Sequence, residues 1–188
     1  MEFQNDILNP KTTLFKIICD ELYNIIDNNF LLSIKTEKGN TQSSERVVIS
    51  RVKQVLEKLN LTYEEAGSQQ SKDFRNVGGI GLDIEIKKTD SNQVYFNDTC
   101  PTKNINYIIF FTGKTNKRKR DNDIDPQLLF INGQEFIKDS PWIDEYCREI
   151  DSLKNKYARG ENKKRLSGVM EVYPRPTFKA NITSFLNK

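Results

Sequence analysis

The chain of 188 residues reads as one domain of mixed α/β (α+β) class, with a central mixed β-sheet flanked by α-helices. Three observations predict this. Apolar residues recur at helical spacing near the N-terminus and again after Pro141. Short β-branched and aromatic runs lie between those segments, and a Gly-Gly pair joins two of them. Helices at both ends of a series of strands, in the order α, α, β-hairpin, β, β, α, suit a sheet covered by helices. A chain of this length buries a sizeable core as a single unit.

From Thr12 to about Asn29, Leu14, Ile17, Ile18, Leu22, Ile25 and Ile26 form one helical stripe. Thr36 to Ser44 is polar, contains Gly39 and reads as a loop. Ser44 then stands as the N-cap of a second helix, whose stripe is Val48, Val52, Val55 and Leu59. Leu61 to about Ser71 has no clear period and reads as a short strand and a loop. Lys72 to Val77 and Ile80 to Thr89 pair as a β-hairpin, because Gly78 and Gly79 supply the positive φ of a tight turn. Gln93 to Phe96 is a short strand. Ile105 to Thr112 is nearly all apolar, as a strand covered on both faces is. Gln127 to Asn132 is a further strand, closing at Asn132-Gly133. Pro141 opens a third helix carrying Trp142, Ile143, Tyr146, Ile150, Leu153 and Tyr157, with Trp142 expected in the core or a dimer interface. Val169 to Tyr173 is the last strand, ahead of an extended Pro174-Arg175-Pro176 arm. No internal repeat or low-complexity tract is present.

The hairpin carries the most informative chemistry. Strand side chains alternate, so Asp83, Glu85 and Lys87 share one face while Leu82, Ile84 and Ile86 share the other. Asp73, on the first strand, can stand across from them. Two carboxylates and an ammonium at this spacing can hold a divalent cation and activate water, which is the chemistry of phosphodiester hydrolysis. Mg²⁺ takes one or two protein carboxylates and otherwise keeps its waters, so Asp73 and Glu85 suffice, with the backbone carbonyl of Ile86 as a third oxygen. Lys87 then positions or deprotonates the attacking water. The base role requires nearby positive charge to depress its pKa. Asp83 and Glu45 are further candidates for the metal. Glu45 extends the core-facing stripe of its helix, and a glutamate in a first helical turn also complements the macrodipole. The competing account is plain: Asp83, Glu85, Lys87 and Lys88 would form the wet face of an antiparallel strand.

Composition narrows the chemistry. The absence of histidine excludes Ser-His-Asp and Cys-His nucleophiles and two-Cys-two-His zinc sites. A net charge of +3 with a pI near 8.6 permits nucleic-acid binding without requiring it. Charge distribution says more: Lys114, Lys117, Arg118, Lys119 and Arg120 cluster in one segment, with Lys163, Lys164 and Arg165 in another. Asp121, Asp123 and Asp125 partly cancel the first cluster. Cys19, Cys100 and Cys147 are odd in number and lack metal-type spacing, so reduced thiols and cytoplasmic residence are the expectation. No run reaches the ~20 apolar residues of a membrane span, and the N-terminus lacks a signal-peptide pattern.

Asp73, followed after a spacer by Glu85-Ile86-Lys87, resembles the Asp…(Asp/Glu)-x-Lys motif of the PD-(D/E)xK nucleases, whose best-known members are type II restriction endonucleases. Thr89, Phe96-Asn97-Asp98-Thr99 and the apolar strand at Tyr107 to Phe111 are similar to the order of elements in that core. The resemblance covers roughly Glu45 to Phe130; Lys72 stands where the family usually has proline. It implies a restriction-endonuclease-like core, a Mg²⁺ cofactor (Mn²⁺ as a substitute), double-stranded DNA as substrate and a homodimer with one active site per strand. A helix glutamate at the metal, here Glu45, is also implied. Lys88, Asn97, Asp98 and Lys103 follow the motif closely enough to approach DNA, where Asn and Asp can read base edges or simply form turns. Lys117, Arg118, Lys119, Arg120, Lys163, Lys164, Arg165 and Arg175 are expected on phosphates. The same motif would also serve a nicking mismatch-repair enzyme or a junction resolvase. A DNA-binding module without catalysis would need only the charges.

Overall fold

Pro10 at the first helical position, with the Asn9 side chain accepting from Lys11 N at 3.0 Å, starts helix α1 (Pro10–Ile25). The computed structural model describes residues 9–35, 41–65, 72–97, 100–114, 123–159, 165–166, 170–171 and 177–186. Asp27 interrupts the first apolar stripe by capping a separate short helix, α2 (Asn28–Ser33), accepting from Phe30 N at 2.7 Å. Helix α3 (Thr41–Lys58) begins three residues before the expected cap. Ser44 therefore lies inside the helix, buried, and is not its N-cap.

The strands are β1 (Glu64–Glu65), β2 (Phe74–Val77), β3 (Leu82–Thr89), β4 (Gln93–Asn97), β5 (Ile105–Phe111) and β6 (Gln127–Asn132). Five of them form a mixed sheet in the order β1-β2-β3-β5-β6. β2 and β3 make the predicted hairpin, whose turn holds Gly78 and Gly79 at φ near +70°. β3 then pairs with β5 in parallel, from Asp83↔Ile105 to Thr89↔Phe111, and β5 pairs with β6 antiparallel. A parallel neighbour needs a crossover. Here β4 supplies it by leaving the sheet to pair with β9 (Thr177–Asn181) in a second layer. β7 (Arg165–Leu166) and β8 (Met170–Glu171) form a small separate ribbon, where the sequence predicts one longer strand.

Alternation along β3 and β5 divides the core in two. Leu82, Ile84, Ile86, Ile108 and Phe110 pack with Ile18, Leu22, Val48, Val52 and Leu56 of α1 and α3. Tyr107, Ile109 and Phe111 face Val94, Phe96, Leu129 and Ile182 on the other side. Both faces of β3 are thus covered, which overturns the wet-strand account: Glu85 is only 7 % exposed. Among the described residues, no helix is long and apolar enough to cross a membrane.

Helix α4 (Gly133–Ile137) and β9 are absent from the sequence reading. Asn132-Gly133 looks like a turn, yet the Asn132 side chain caps α4 by accepting from Gln134 N at 2.9 Å. Gly133 fits because its backbone lies against the 102–105 segment. A Cβ there would stand 1.8 Å from the Thr102 carbonyl oxygen and 2.9 Å from that of Ile105. Gly133→Ala should therefore destabilise the fold by about 1–3 kcal/mol through overpacking against backbone. Gly79→Ala, whose Cβ would meet only Thr62 Oγ1 at 3.9 Å, should carry just the left-handed backbone penalty of about 1 kcal/mol. Chemical denaturation of the two variants checks this ranking.

Helix α5 (Ile143–Tyr157) is the predicted third helix, but Trp142 precedes it and is 54 % exposed, stacked on Phe178 of β9. A second correction concerns the thiols. Cys100 and Cys147 form a disulfide with Cα atoms 6.2 Å apart, while Cys19 is free and buried. Spacing does not reveal this pair, because α5 reaches the β4–β5 connection only through tertiary packing. Lys103–Asp144, at 2.6 Å, ties the same two segments.

Candidate metal and phosphodiester site

A one-residue irregularity in the hairpin sets the geometry. Val77 pairs with Leu82, but Phe74 pairs with Ile84, so the register shifts between them. Asn76 is the extra residue, with φ +49°. Its side chain accepts from Gly81 N at 2.8 Å and its N–H donates to Asp83 Oδ1 at 3.1 Å. Without the shift, Asp73 would stand opposite Ile86 and point to the apolar side of the sheet. With it, Asp73 stands opposite Glu85.

Hydrogen bonds fix the result. Asp73 N donates to Ile84 O at 3.1 Å, and Ile86 N donates to Asp73 Oδ2 at 2.7 Å. An extended residue sends its N–H and C=O to the same side. The Ile86 carbonyl therefore points to the β2 side of β3, where among the described residues no strand continues past Asp73. Lys87 Nζ lies 2.6 Å from Glu85 Oε1 and 5.4 Å from the centre of the Phe96 ring. Asp73, Glu85, Ile86 and Lys87 line one cavity of about 260 Å³, closed by Glu45, Val48 and Ile49 of α3, with Lys88 and Tyr95. A larger cavity of about 400 Å³ runs along β6 between Tyr23, Ile26 and Phe185 and contains no carboxylate. The chemistry lies in the smaller one.

Electrostatics mark the same residues. Desolvation pushes the Glu85 carboxyl up to about 7 from 4.5; the Lys87 ammonium opposes this and Asp73 adds to it. Desolvation also raises Asp73, against the Ile86 N–H and Lys87, and the Glu45 charge raises it further. A buried and a half-buried carboxylate beside one ammonium are a charge arrangement that a divalent cation relieves. The donor set fits Mg²⁺: two carboxylates, a backbone carbonyl at the open edge and room for water. Among the described residues, no group of three His, Cys, Asp or Glu side chains converges. Glu45 is thus a wall of the cavity whose charge reaches Asp73, not part of a carboxylate trio. Asp83 turns elsewhere, taken up by Lys72 and the Asn76 N–H.

The Glu85 shift has a sign that can be tested. A carboxyl whose folded pKa exceeds its unfolded value contributes stability below about 4.5 and loses it as pH rises through about 7. Metal-free protein should therefore lose stability over that window, and Glu85→Gln should flatten this part of the profile. Thermal unfolding in chelator at a series of pH values measures the difference.

The expected DNA contacts are dispersed. Lys88 is 5 % exposed at its side chain and paired with Asp90 at 2.8 Å, so it forms cavity wall and not outer surface. Asn97 ends β4, Lys103 is exposed beside Asp144, and Arg165 belongs to β7. Asp98, Lys117, Arg118, Lys119, Arg120, Lys163, Lys164 and Arg175 lie outside the described residues. Sequence reasoning missed Tyr95 and Asp90 beside the site. Alternation alone offered a signal, since Tyr95 sits between the apolar residues Val94 and Phe96. Comparison with protein-family models, curated proteins and solved structures yields no match. The chemistry of the site follows from its own residues.

Proposed function

We propose that this chain is a Mg²⁺-dependent endonuclease of restriction-endonuclease-like core, most like a type II restriction enzyme that cuts double-stranded DNA as a cytoplasmic homodimer, with Mn²⁺ able to replace Mg²⁺. The observation that carries it is the convergence of Asp73, Glu85 and Lys87 on one cavity, with Asp73 bonded to Ile86 N at 2.7 Å and Lys87 to Glu85 at 2.6 Å.

Asp73 and Glu85 would hold the cation, with the Ile86 carbonyl beside them. The ion supplies electrophilic stabilisation of the charge that develops on the phosphate and lowers the pKa of water. Lys87 places an ammonium 2.6 Å from Glu85, where it orients the attacking water and stabilises the pentacovalent phosphorane. Phe96 and the aliphatic wall from α3 limit competing solvent. Cleavage of both strands needs two such cavities, hence the dimer.

Supercoiled plasmid of unmethylated mixed-sequence DNA, incubated with Mg²⁺ or Mn²⁺, tests the reading. Linear product from discrete sites is expected. Nicked circles alone would favour a nicking enzyme, and no cleavage of any DNA would sink the nuclease reading. An independent readout is thermal: Mg²⁺ should raise the melting temperature of wild type and do little for Asp73→Asn.

A further inference from the structure

A second cavity, of about 300 Å³, adjoins the carboxylate cavity and shares Glu45, Lys88 and Tyr95 with it. Ser44, Thr89, Asp90 and Ser91 complete its wall. Side chains of polar residues thus edge a space beside the carboxylates, turning mainly their apolar parts to it, and the one aromatic ring among its lining residues is that of Tyr95. Val94 and Phe96 on either side of Tyr95 are 1 % exposed, whereas Tyr95 itself is 47 % exposed. Strand alternation turns its ring outward, so it is not core. Lys179, its partner across β9, carries Nζ 5.7 Å from the centre of the ring.

The ring is held in a fixed place relative to the chemistry. Thr89 Oγ1, at the end of β3, donates to Gln93 O at 2.6 Å and accepts from Ser91 N at 3.1 Å, which locks the β3–β4 turn. The Lys87 ammonium lies over Phe96, the residue next to Tyr95. Asp90, held by Lys88 at 2.8 Å and Thr112 at 2.6 Å, presents a carboxylate on the wall. An exposed aromatic face, an adjacent cation and a pocket of largely apolar wall edged by hydroxyl and carboxylate groups, next to the proposed phosphodiester site, together match a nucleotide out of the duplex stack: a π-face to stack on, a charge near the flanking phosphate and acceptors for exocyclic amino groups.

We propose that the second cavity receives an unpaired nucleobase of the strand being cut, stacked on Tyr95, with Lys179 serving the phosphate that flanks it. This rests on the nuclease reading and sharpens its substrate: DNA with one nucleotide out of the base stack at the cleavage site. The base is either everted from a duplex by the protein or already single-stranded.

Binding by fluorescence anisotropy, with Ca²⁺ in place of Mg²⁺, tests it on labelled single-stranded, singly mismatched and fully paired oligonucleotides of mixed sequence. Tyr95→Ala should weaken binding by roughly 5- to 150-fold, the loss of one base–aromatic stack. Tyr95→Phe and Tyr95→Trp should stay close to wild type, with unchanged melting temperatures. A loss that extends to the paired duplex identifies base eversion by the protein; a loss confined to the other two probes identifies capture of a base already unpaired. Photocrosslinking to 5-iodouracil DNA should attach Tyr95. Phe failing as badly as Ala, an unaffected Ala variant, or crosslinks only to other residues would overturn the proposal. If wild type still cuts plasmid in any of those cases, the nuclease reading stands and this pocket alone falls. If Tyr95 crosslinks but no metal yields cleavage, the nuclease reading falls and the base pocket remains.

Discussion

Lys87→Ala should lower DNA cleavage by about 10²–10⁴-fold and leave DNA affinity nearly unchanged. The reason is placement. A lysine that merely neutralised phosphate would stand in water, and its loss would weaken binding and reduce the salt slope by about one. Lys87 is 19 % exposed at its side chain, with its ammonium between Glu85 and Phe96. On the proposed function it would touch little of a long DNA ligand there, while lying 2.6 Å from Glu85 in the carboxylate cavity. Single-turnover cleavage, with anisotropy for affinity, separates the two roles. A variant that cuts at the wild-type rate, or that loses binding and rate in equal measure, would return Lys87 to the class of phosphate contacts. Lys87→Arg keeps the charge but not the compact ammonium, so it should leave the rate low as well, with affinity again near wild type.

Opening the Cys100–Cys147 bond should cost the protein up to about 4 kcal/mol, the chain-entropy value for a cross-link spanning 47 residues. For a domain of this size that is a fall of about 8–16 °C in melting temperature. Wild type with reductant and Cys147→Ser without it should give the same lowered value, below that of wild type without reductant. Alkylation of the denatured, unreduced protein should label a single cysteine, Cys19. Labelling of all three would show that the pair is open in solution, and the stability difference should then vanish. If the proposed cytoplasmic location holds, the less stable, reduced form is the one expected there. Lys103–Asp144 still ties the two segments in that form, and the Thr102 N–H still donates to Tyr107 Oη at 3.0 Å.

Much of the fold was legible in the sequence, because its elements declare themselves locally. The hairpin, β5, β6, α3 and α5 follow from period, glycine turns and apolar runs. The thiol pair, α4 and β9 depend on packing between distant segments, and no local pattern encodes them. The site divides the same way. Glu85 and Lys87 share a face by simple alternation. That Asp73 joins them, while Asp83 does not, turns on the bulge at Asn76, a two-against-one count that a reading of sequence spacing cannot see. The burial of Lys88 beneath α3 was hidden for a related reason, since alternation says which face a residue takes but not what covers it.

The edge of β3 beyond Asp73 has a consequence for handling the protein. Among the described residues no strand covers its outward N–H and C=O groups there, a row that can recruit a strand from another molecule, and folded proteins guard such rows with charge. Asp73, which holds the Ile86 N–H, is that guard here. A variant chosen to silence the proposed activity by neutralising Asp73 should also self-associate more readily. Asp73→Asn samples should show concentration-dependent light scattering before wild type does, and a charge-preserving Asp73→Glu change should not.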